Sequence, residues 1–87
     1  MQTLEQLEAS IVETNRIACA IECIFRDEFS DVSKAMLAAT FSGLIALVRS
    51  NEHAAAKMLI AGASQVPPGV TQERFDEVKQ MLLSKIP

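Results

Sequence analysis

The fold is decided by residues 32–70, which read VSKAMLAATFSGLIALVRSNEHAAAKMLIAGASQVPPGV. Small and aliphatic residues dominate this stretch, and its only formal charges are Lys34, Arg49, Glu52 and Lys57. No run alternates between polar and apolar residues over the length of a strand, so we expect no β-sheet. The stretch instead predicts two helices that are apolar nearly all round, and such helices must be covered on every side.

The whole chain is predicted to be a single all-α domain, residues 1–87, with about four helices. The N-terminal helix is expected over about residues 3–26 with Thr3 as its cap. Its apolar residues recur at a spacing of three and four, which gives one continuous stripe. The members of that stripe are Leu4, Leu7, Ile11, Thr14, Ala18, Ile21 and Phe25.

A second helix is expected to run without interruption to about residue 50 from a cap at Ser30 or Asp31. A tight turn follows, in which Asn51 can take the left-handed conformation. The third helix is expected over residues 52–63, and the Pro-Pro-Gly sequence that starts at Pro67 forbids its continuation. Thr71 is the expected cap of the C-terminal helix, over about residues 72–85.

Residues 31–63 fit the antiparallel helix–turn–helix hairpin of tetratricopeptide-like (TPR-like) repeats. Small residues fall at Ala56 and Ala63, where such a repeat brings its two helices close together, and Pro68 occupies the closing position. An ordinary helical bundle is the alternative. In the TPR-like register a concave apolar groove is expected, lined by Ala38, Phe41, Ile45, Val48, Phe75 and Leu82.

Two occupants of that groove remain open. An amphipathic helix of a partner protein can bind in a hydrophobic groove. Alternatively, the N-terminal helix folds back and fills the groove itself. A partner is favoured because 49% of the 87 residues are hydrophobic. A domain of this size buries only roughly 60–65% of its unfolded surface.

Composition argues against several other classes. The net charge is −3, and the eight Lys and Arg residues are scattered singly, whereas a nucleic-acid binder usually carries a basic stripe. The longest charge-free run of the middle segment, residues 35–48, has 14 residues, which is shorter than the about 20 of a membrane span. Glu5 and Glu8 stand where a signal peptide would be basic. We therefore expect a soluble, cytoplasmic protein.

No catalytic, cofactor or metal site is expected. Cys19 and Cys23 lie four residues apart on a predicted helix and are interpreted as reduced, buried thiols. His53, the single histidine, is expected to be exposed at the start of a helix. Nothing in the sequence would orient it as a base for nucleophilic catalysis, so we expect a protein that is not an enzyme.

Residues 44–59, LIALVRSNEHAAAKML, resemble the needle co-chaperones of bacterial type III secretion systems, the YscG-, SsaH- and EscG-like proteins. The resemblance covers roughly residues 21–62 and rests on an apolar helix, a tight turn with Asn and a second helix reading Ala-Ala-Lys-apolar-Leu. It implies a TPR-like virulence-associated chaperone of the bacterial cytoplasm. With a small two-helix co-chaperone of the YscE kind, such a protein holds the C-terminal helix of the needle subunit and prevents premature polymerisation.

Carried over to this chain, the resemblance assigns contact with the needle helix to Phe41, Ile45 and Val48, extended by Phe75 and Leu82. It assigns contact with the co-chaperone to Leu4, Leu7 and Ile11. A heterocomplex is therefore favoured over a homo-oligomer. The alternatives are a homodimeric helical regulatory or phage protein that sequesters another protein, and a DNA-binding regulator.

Overall fold

The computed structural model describes residues 3–87, and all regular structure within them is helical. The prediction of an all-α fold is confirmed. Residues 3–87 form five helices instead of about four: α1 (Leu4–Glu28), α2 (Lys34–Thr40), α3 (Leu44–Arg49), α4 (His53–Gly62) and α5 (Gln72–Lys85).

Helix α1 begins where the sequence predicts and ends two residues later. The Thr3 hydroxyl accepts a hydrogen bond from the backbone N–H of Gln6, and the Gln6 side chain accepts one from the backbone N–H of Thr3. This reciprocal pair is a capping box, which satisfies two donors at the helix start. Phe29 is the C-cap of α1, and its side chain is buried in the core.

The prediction of one uninterrupted helix over about residues 31–50 is wrong. The chain forms α2 and α3 instead, separated by Phe41, Ser42 and Gly43. Gly43 has a φ of 83°, a left-handed conformation that a right-handed helix cannot contain. The N-cap is Ser33, whose hydroxyl accepts from the Met36 N–H, and not Ser30 or Asp31.

The last two helices follow the sequence more closely. Asn51 has the expected left-handed backbone, with a φ of 58°, and Thr71 caps α5 by accepting from the Arg74 N–H. Helix α4 is joined to α5 by Lys79, whose ammonium group donates to the carbonyl oxygens of Ala61 at 3.1 Å and Ala63 at 2.9 Å. Lys79 of α5 thus satisfies carbonyl groups that the C-terminal end of α4 leaves unpaired.

Four of the helices form a closed ring of neighbours. Helix α1 packs on α3 and α5, and α4 packs on the same two helices from the other side. Each helix contributes large side chains with at most 1% exposure to the common core: Ile21, Leu44, Ile60 and Phe75. Helix α2 lies outside this ring and has no extensive contact with another helix.

The predicted helical hairpin is present in part. Helices α3 and α4 pack against each other, and Ala56 and Ile60 of α4 are fully buried. The small side chain of Ala56 allows the two helices to approach closely. Among residues 3–87, no helix has the length and the apolar character needed to cross a membrane.

We predict opposite effects for alanine at two glycines that both have open space around the Cβ position. Gly43→Ala should destabilise the protein by about 1 kcal/mol, because alanine strains a left-handed backbone. Gly62→Ala should stabilise it by up to about 1 kcal/mol, because Gly62 belongs to α4 and alanine favours helix. Urea denaturation followed by circular dichroism measures both changes. Equal effects of the two substitutions would contradict the left-handed assignment.

Candidate functional site

The first turns of α1 extend beyond the common core. We call residues 3–12 the overhang. The buried core of α1 starts only at Thr14 and Ile17, and the molecule is elongated, at 47 × 21 × 20 Å. The overhang nevertheless carries four large apolar side chains that are mostly exposed: Leu4 (73%), Leu7 (45%), Ile11 (60%) and Val12 (66%).

Three of these side chains lie on one side of the helix. At about 100° per residue, Leu4, Leu7 and Ile11 fall within roughly 60° of one another. Each such side chain gains about 1.5–3 kcal/mol when it is fully buried. The same segment carries the acidic residues Glu5 and Glu8 and no basic residue. The overhang is therefore an acidic helix with one uncovered apolar side.

A cluster of polar side chains marks the point where α1 joins the ring. The Thr14 hydroxyl, which is buried, donates to the Asn51 side-chain oxygen at 2.8 Å, and the Asn51 amide donates to the Ser10 hydroxyl at 3.0 Å. The Arg49 guanidinium donates to the side-chain oxygen of Asn15 at 3.0 Å. These bonds hold α1 against the α3–α4 turn, and the apolar core does not continue past them.

The second apolar surface is an open cleft of about 790 Å³ near the opposite end of α1. We call it the cleft. It lies between the C-terminal part of α1, the loop that follows α1, and helices α2 and α3. Its apolar lining consists chiefly of Phe25, Phe29, Val32, Leu37, Ala38, Phe41, Leu44 and Ile45. Helix α2 forms one wall of the cleft, and its Leu37 is buried in the common core.

Three aromatic rings connect the cleft to the core. The Phe25 and Phe41 ring centres are 5.3 Å apart, and those of Phe41 and Phe75 are 5.9 Å apart, both in stacked arrangements. Aromatic pairs at this separation gain about 0.5–1.5 kcal/mol beyond the burial of their area. Phe75 is fully buried whereas Phe25 is half-buried. The inner wall of the cleft is therefore aromatic and continuous with the core.

Charged residues surround the cleft and hold its loop. Glu22, Arg26 and Lys34 are the charged residues among its lining. The loop is fixed by Arg74 of α5, which donates to the Asp31 carboxylate at 3.0 Å and 3.3 Å and to the Glu28 carbonyl oxygen. The same guanidinium lies 5.3 Å from the centre of the Phe29 ring. Arg74 therefore sets the position of the loop that forms one wall.

The expected groove is not open in this structure. Val48, Phe75 and Leu82 are fully buried, and Phe41 is 4% exposed. The reason is that α1 packs on α3 and α5 and covers the surface that the TPR-like register would leave for a partner. The alternative in which the N-terminal helix folds back is therefore the one adopted. Of the six residues, Ala38, Phe41 and Ile45 line the cleft.

The predicted co-chaperone residues have a different outcome. Leu4, Leu7 and Ile11 are exposed on the overhang, so they are accessible to another protein. Contact with a co-chaperone stays a prediction. The stripe to which they belong is continuous in sequence, but only its second half, from Thr14 onward, meets other helices.

Two interpretations of single side chains are wrong. Cys19 is exposed and Cys23 is half-buried, so the thiols are free but do not form a buried pair. They point away because the stripe of Thr14, Ile17, Ala18 and Ile21 occupies the ring side of α1. His53 is half-buried instead of exposed, and its Nε2 has no hydrogen-bond partner within residues 3–87.

The part of the chain that the structure describes contains no group of three or more His, Cys, Asp or Glu side chains that could hold a metal ion. What sequence reasoning missed is the cleft. Its signals were Gly43 inside a predicted helix and Ser33 as an unrecognised cap. Both separate α2 from the ring.

No protein-family model, no curated protein and no solved structure matches this chain. The resemblance to needle co-chaperones therefore rests on the short sequence motif, and the overhang and the cleft have to be interpreted from their own chemistry.

The loop wall of the cleft should respond to pH through Asp31. The hydrogen bonds from Arg74 lower the pKa of the Asp31 carboxyl below its ordinary value. A lowered pKa in the folded state contributes stability at neutral pH, and this contribution is lost as the pH falls through the folded-state pKa. We predict that Arg74→Gln raises the Asp31 pKa toward the ordinary value, as measured by NMR titration of the carboxyl group. An unchanged pKa would show that the pair is not formed in solution.

Proposed function

We propose that this chain is a small helical adaptor that binds amphipathic helices of partner proteins. The observation that carries this proposal is the overhang. Leu4, Leu7 and Ile11 form a continuous apolar side that the rest of the described chain leaves exposed. Exposed large apolar side chains that lie together on one face are typical of interaction surfaces.

A partner helix fits the overhang by spacing. Apolar residues separated by three and four positions form the seam along which two helices pack side by side. A helix that lies along residues 4–11 would cover all three side chains. A two-helix hairpin would cover the overhang from two sides and also reach Val12. This geometry supports the small two-helix co-chaperone that the resemblance implies.

The cleft supports a second contact. Its lining includes Ala38, Phe41 and Ile45, three of the expected groove residues, and the resemblance assigns Phe41 and Ile45 among them to the needle helix. A helix binds such a surface by inserting large apolar side chains, with its backbone outside. Lys34 beside the cleft would attract acidic residues that flank those side chains, whereas Arg26 already pairs with Asp27.

In its specific form the proposal is a co-chaperone of the type III secretion needle. One partner covers the overhang, and the cleft holds the needle-subunit helix before export, in the bacterial cytoplasm. The proposal assigns binding to these residues and no catalytic step. It is supported by the short motif of residues 44–59 and by the two apolar surfaces at separate places on one small domain.

The test is co-expression with each of the proteins encoded by adjacent genes, followed by native mass spectrometry of the purified chain. We expect a defined heterocomplex with at least one of them. Ile11→Asp should weaken that complex at least tenfold, because the buried contact would then contain an unpaired charge. Ile11 is 60% exposed, so the variant should fold normally.

Met58→Asp is the matched control. Met58 lies on α4, is 74% exposed and belongs to neither apolar surface. This variant should keep the heterocomplex intact. Loss of the complex in both variants would indicate a general effect of added charge. Retention of full affinity by Ile11→Asp, or no complex with any adjacent gene product, would contradict the proposal. Val48→Asp is unsuitable as a test because Val48 is fully buried.

A further inference from the structure

We propose that the helix that binds the overhang is a basic one, in which Lys or Arg residues lie beside the apolar residues. This inference rests on the proposed function, because it names the chemical class of partner for the same surface. The observation that carries it is the position of two exposed carboxylates, those of Glu5 and Glu8, among the exposed apolar side chains of the overhang.

Glu8 lies within the apolar surface of the overhang. On an α-helix, the nearest surface neighbours of a residue are three and four positions away. For Glu8 these neighbours are Leu4, Glu5, Ile11 and Val12. Three of the four are large apolar residues that are at least 60% exposed. A partner helix that covers these apolar side chains therefore also removes water from the Glu8 carboxylate.

The overhang itself offers no cation to either carboxylate. Positions 3–12 contain no Lys, Arg or His, and no ion pair within residues 3–87 involves Glu5 or Glu8. Glu5 lies in the first turn of α1, where an acidic side chain complements the helix dipole, but Glu8 lies beyond that turn. Because covering an unpaired charge is unfavourable, the partner has to supply the cation.

The basic residues nearest to the overhang along α1 and at the α3–α4 turn are already engaged. Arg16 pairs with Glu13. Arg49 donates to the Asn15 side chain, and Asn15 lies about 10 Å beyond Glu8 along the helix. Neither guanidinium therefore compensates the carboxylates of the overhang, which remain available to basic residues of a partner.

The same carboxylates disfavour two other occupants. A second copy of this chain would place its own Glu5 and Glu8 against the first overhang, and like charges brought together across an interface are unfavourable. Helices that lie on membranes typically carry Lys and Arg on their polar side, and the overhang has none. A basic amphipathic helix is the occupant that fits both the apolar side chains and the carboxylates.

The test is NMR titration of the isotope-labelled chain with two synthetic amphipathic helical peptides. Both peptides have the same leucine seam, which is flanked by lysine in one and by glutamate in the other. At low salt the lysine peptide should shift the amide signals of residues 3–12 and bind roughly tenfold more tightly than the glutamate peptide. Added salt should reduce the difference, because it screens exposed charges. Vesicles of phosphatidylglycerol are titrated in the same way.

The variant for this test is Glu5→Gln with Glu8→Gln, which should bind the lysine peptide about three- to tenfold more weakly and with a smaller salt dependence. The matched control is Glu73→Gln with Glu77→Gln on α5. It changes the net charge equally, and each pair has one glutamate in the first turn of its helix. All four side chains are exposed. The control should bind like the unmodified chain, and far-UV circular dichroism checks that both variants keep their helices.

Four results would overturn the inference: equal affinity for the two peptides, no shift of residues 3–12 with either peptide, equal weakening by both variant pairs, or binding to the vesicles alone. The heterocomplex test is separate. A complex that requires Ile11 but is unaffected by salt and by Glu5→Gln with Glu8→Gln would leave the proposed function intact and contradict a basic partner. If no heterocomplex forms, the proposed function fails whichever peptide binds.

Discussion

The packing of α1 against α3 and α5 is the interaction on which the rest of the structure depends. Ile17, Ala18, Ile21 and Ile24 are nearly or completely buried in that contact region. Without α1, helices α3, α4 and α5 would expose Val48, Phe75 and Leu82, which are now fully covered. A chain of 87 residues thus closes its core by using its longest helix as the cover.

The same arrangement determines which residues of α1 can be buried in the core. Helix α1 has 25 residues, whereas α3, one of the two helices on which it packs, has six. Helix α1 is longer than the helices that it covers, and toward its N-terminus the buried core of α1 ends at Thr14, followed only by the hydrogen bond from the Asn51 amide to the Ser10 hydroxyl. Exposed apolar residues on the overhang are therefore a direct result of unequal helix lengths. The functional proposals follow from this mismatch.

The sequence was sufficient for the features that local chemistry determines. Thr3 and Thr71 as caps, Asn51 in a left-handed turn and the bounds of α5 depend on residues within one turn of each other, and all are confirmed. The exposure of the groove residues depends on which helix packs over them, and local sequence does not determine this. A periodic apolar pattern is the same whether the side chains contact a partner protein or the chain's own core.

The break at Gly43 lies between these two cases. A glycine inside an apolar helix is tolerated in many proteins, at a cost of about 1 kcal/mol. The presence of Gly43 in the sequence therefore did not distinguish a continuous helix from an interrupted one. The cleft depends on that break and on the Arg74–Asp31 pair, which joins residues 43 positions apart. Pairing over such a distance leaves no short-range pattern in the sequence.

The position of α2 outside the ring has a consequence for engineering. Its seven residues connect two turns, and only Leu37 among them is buried. Substitution of the exposed residues of α2 would change one wall of the cleft, while Leu37 keeps the helix attached to the core. The domain therefore combines a closed ring of helices with a short outer helix whose exposed side chains can be varied to change the shape of the cleft.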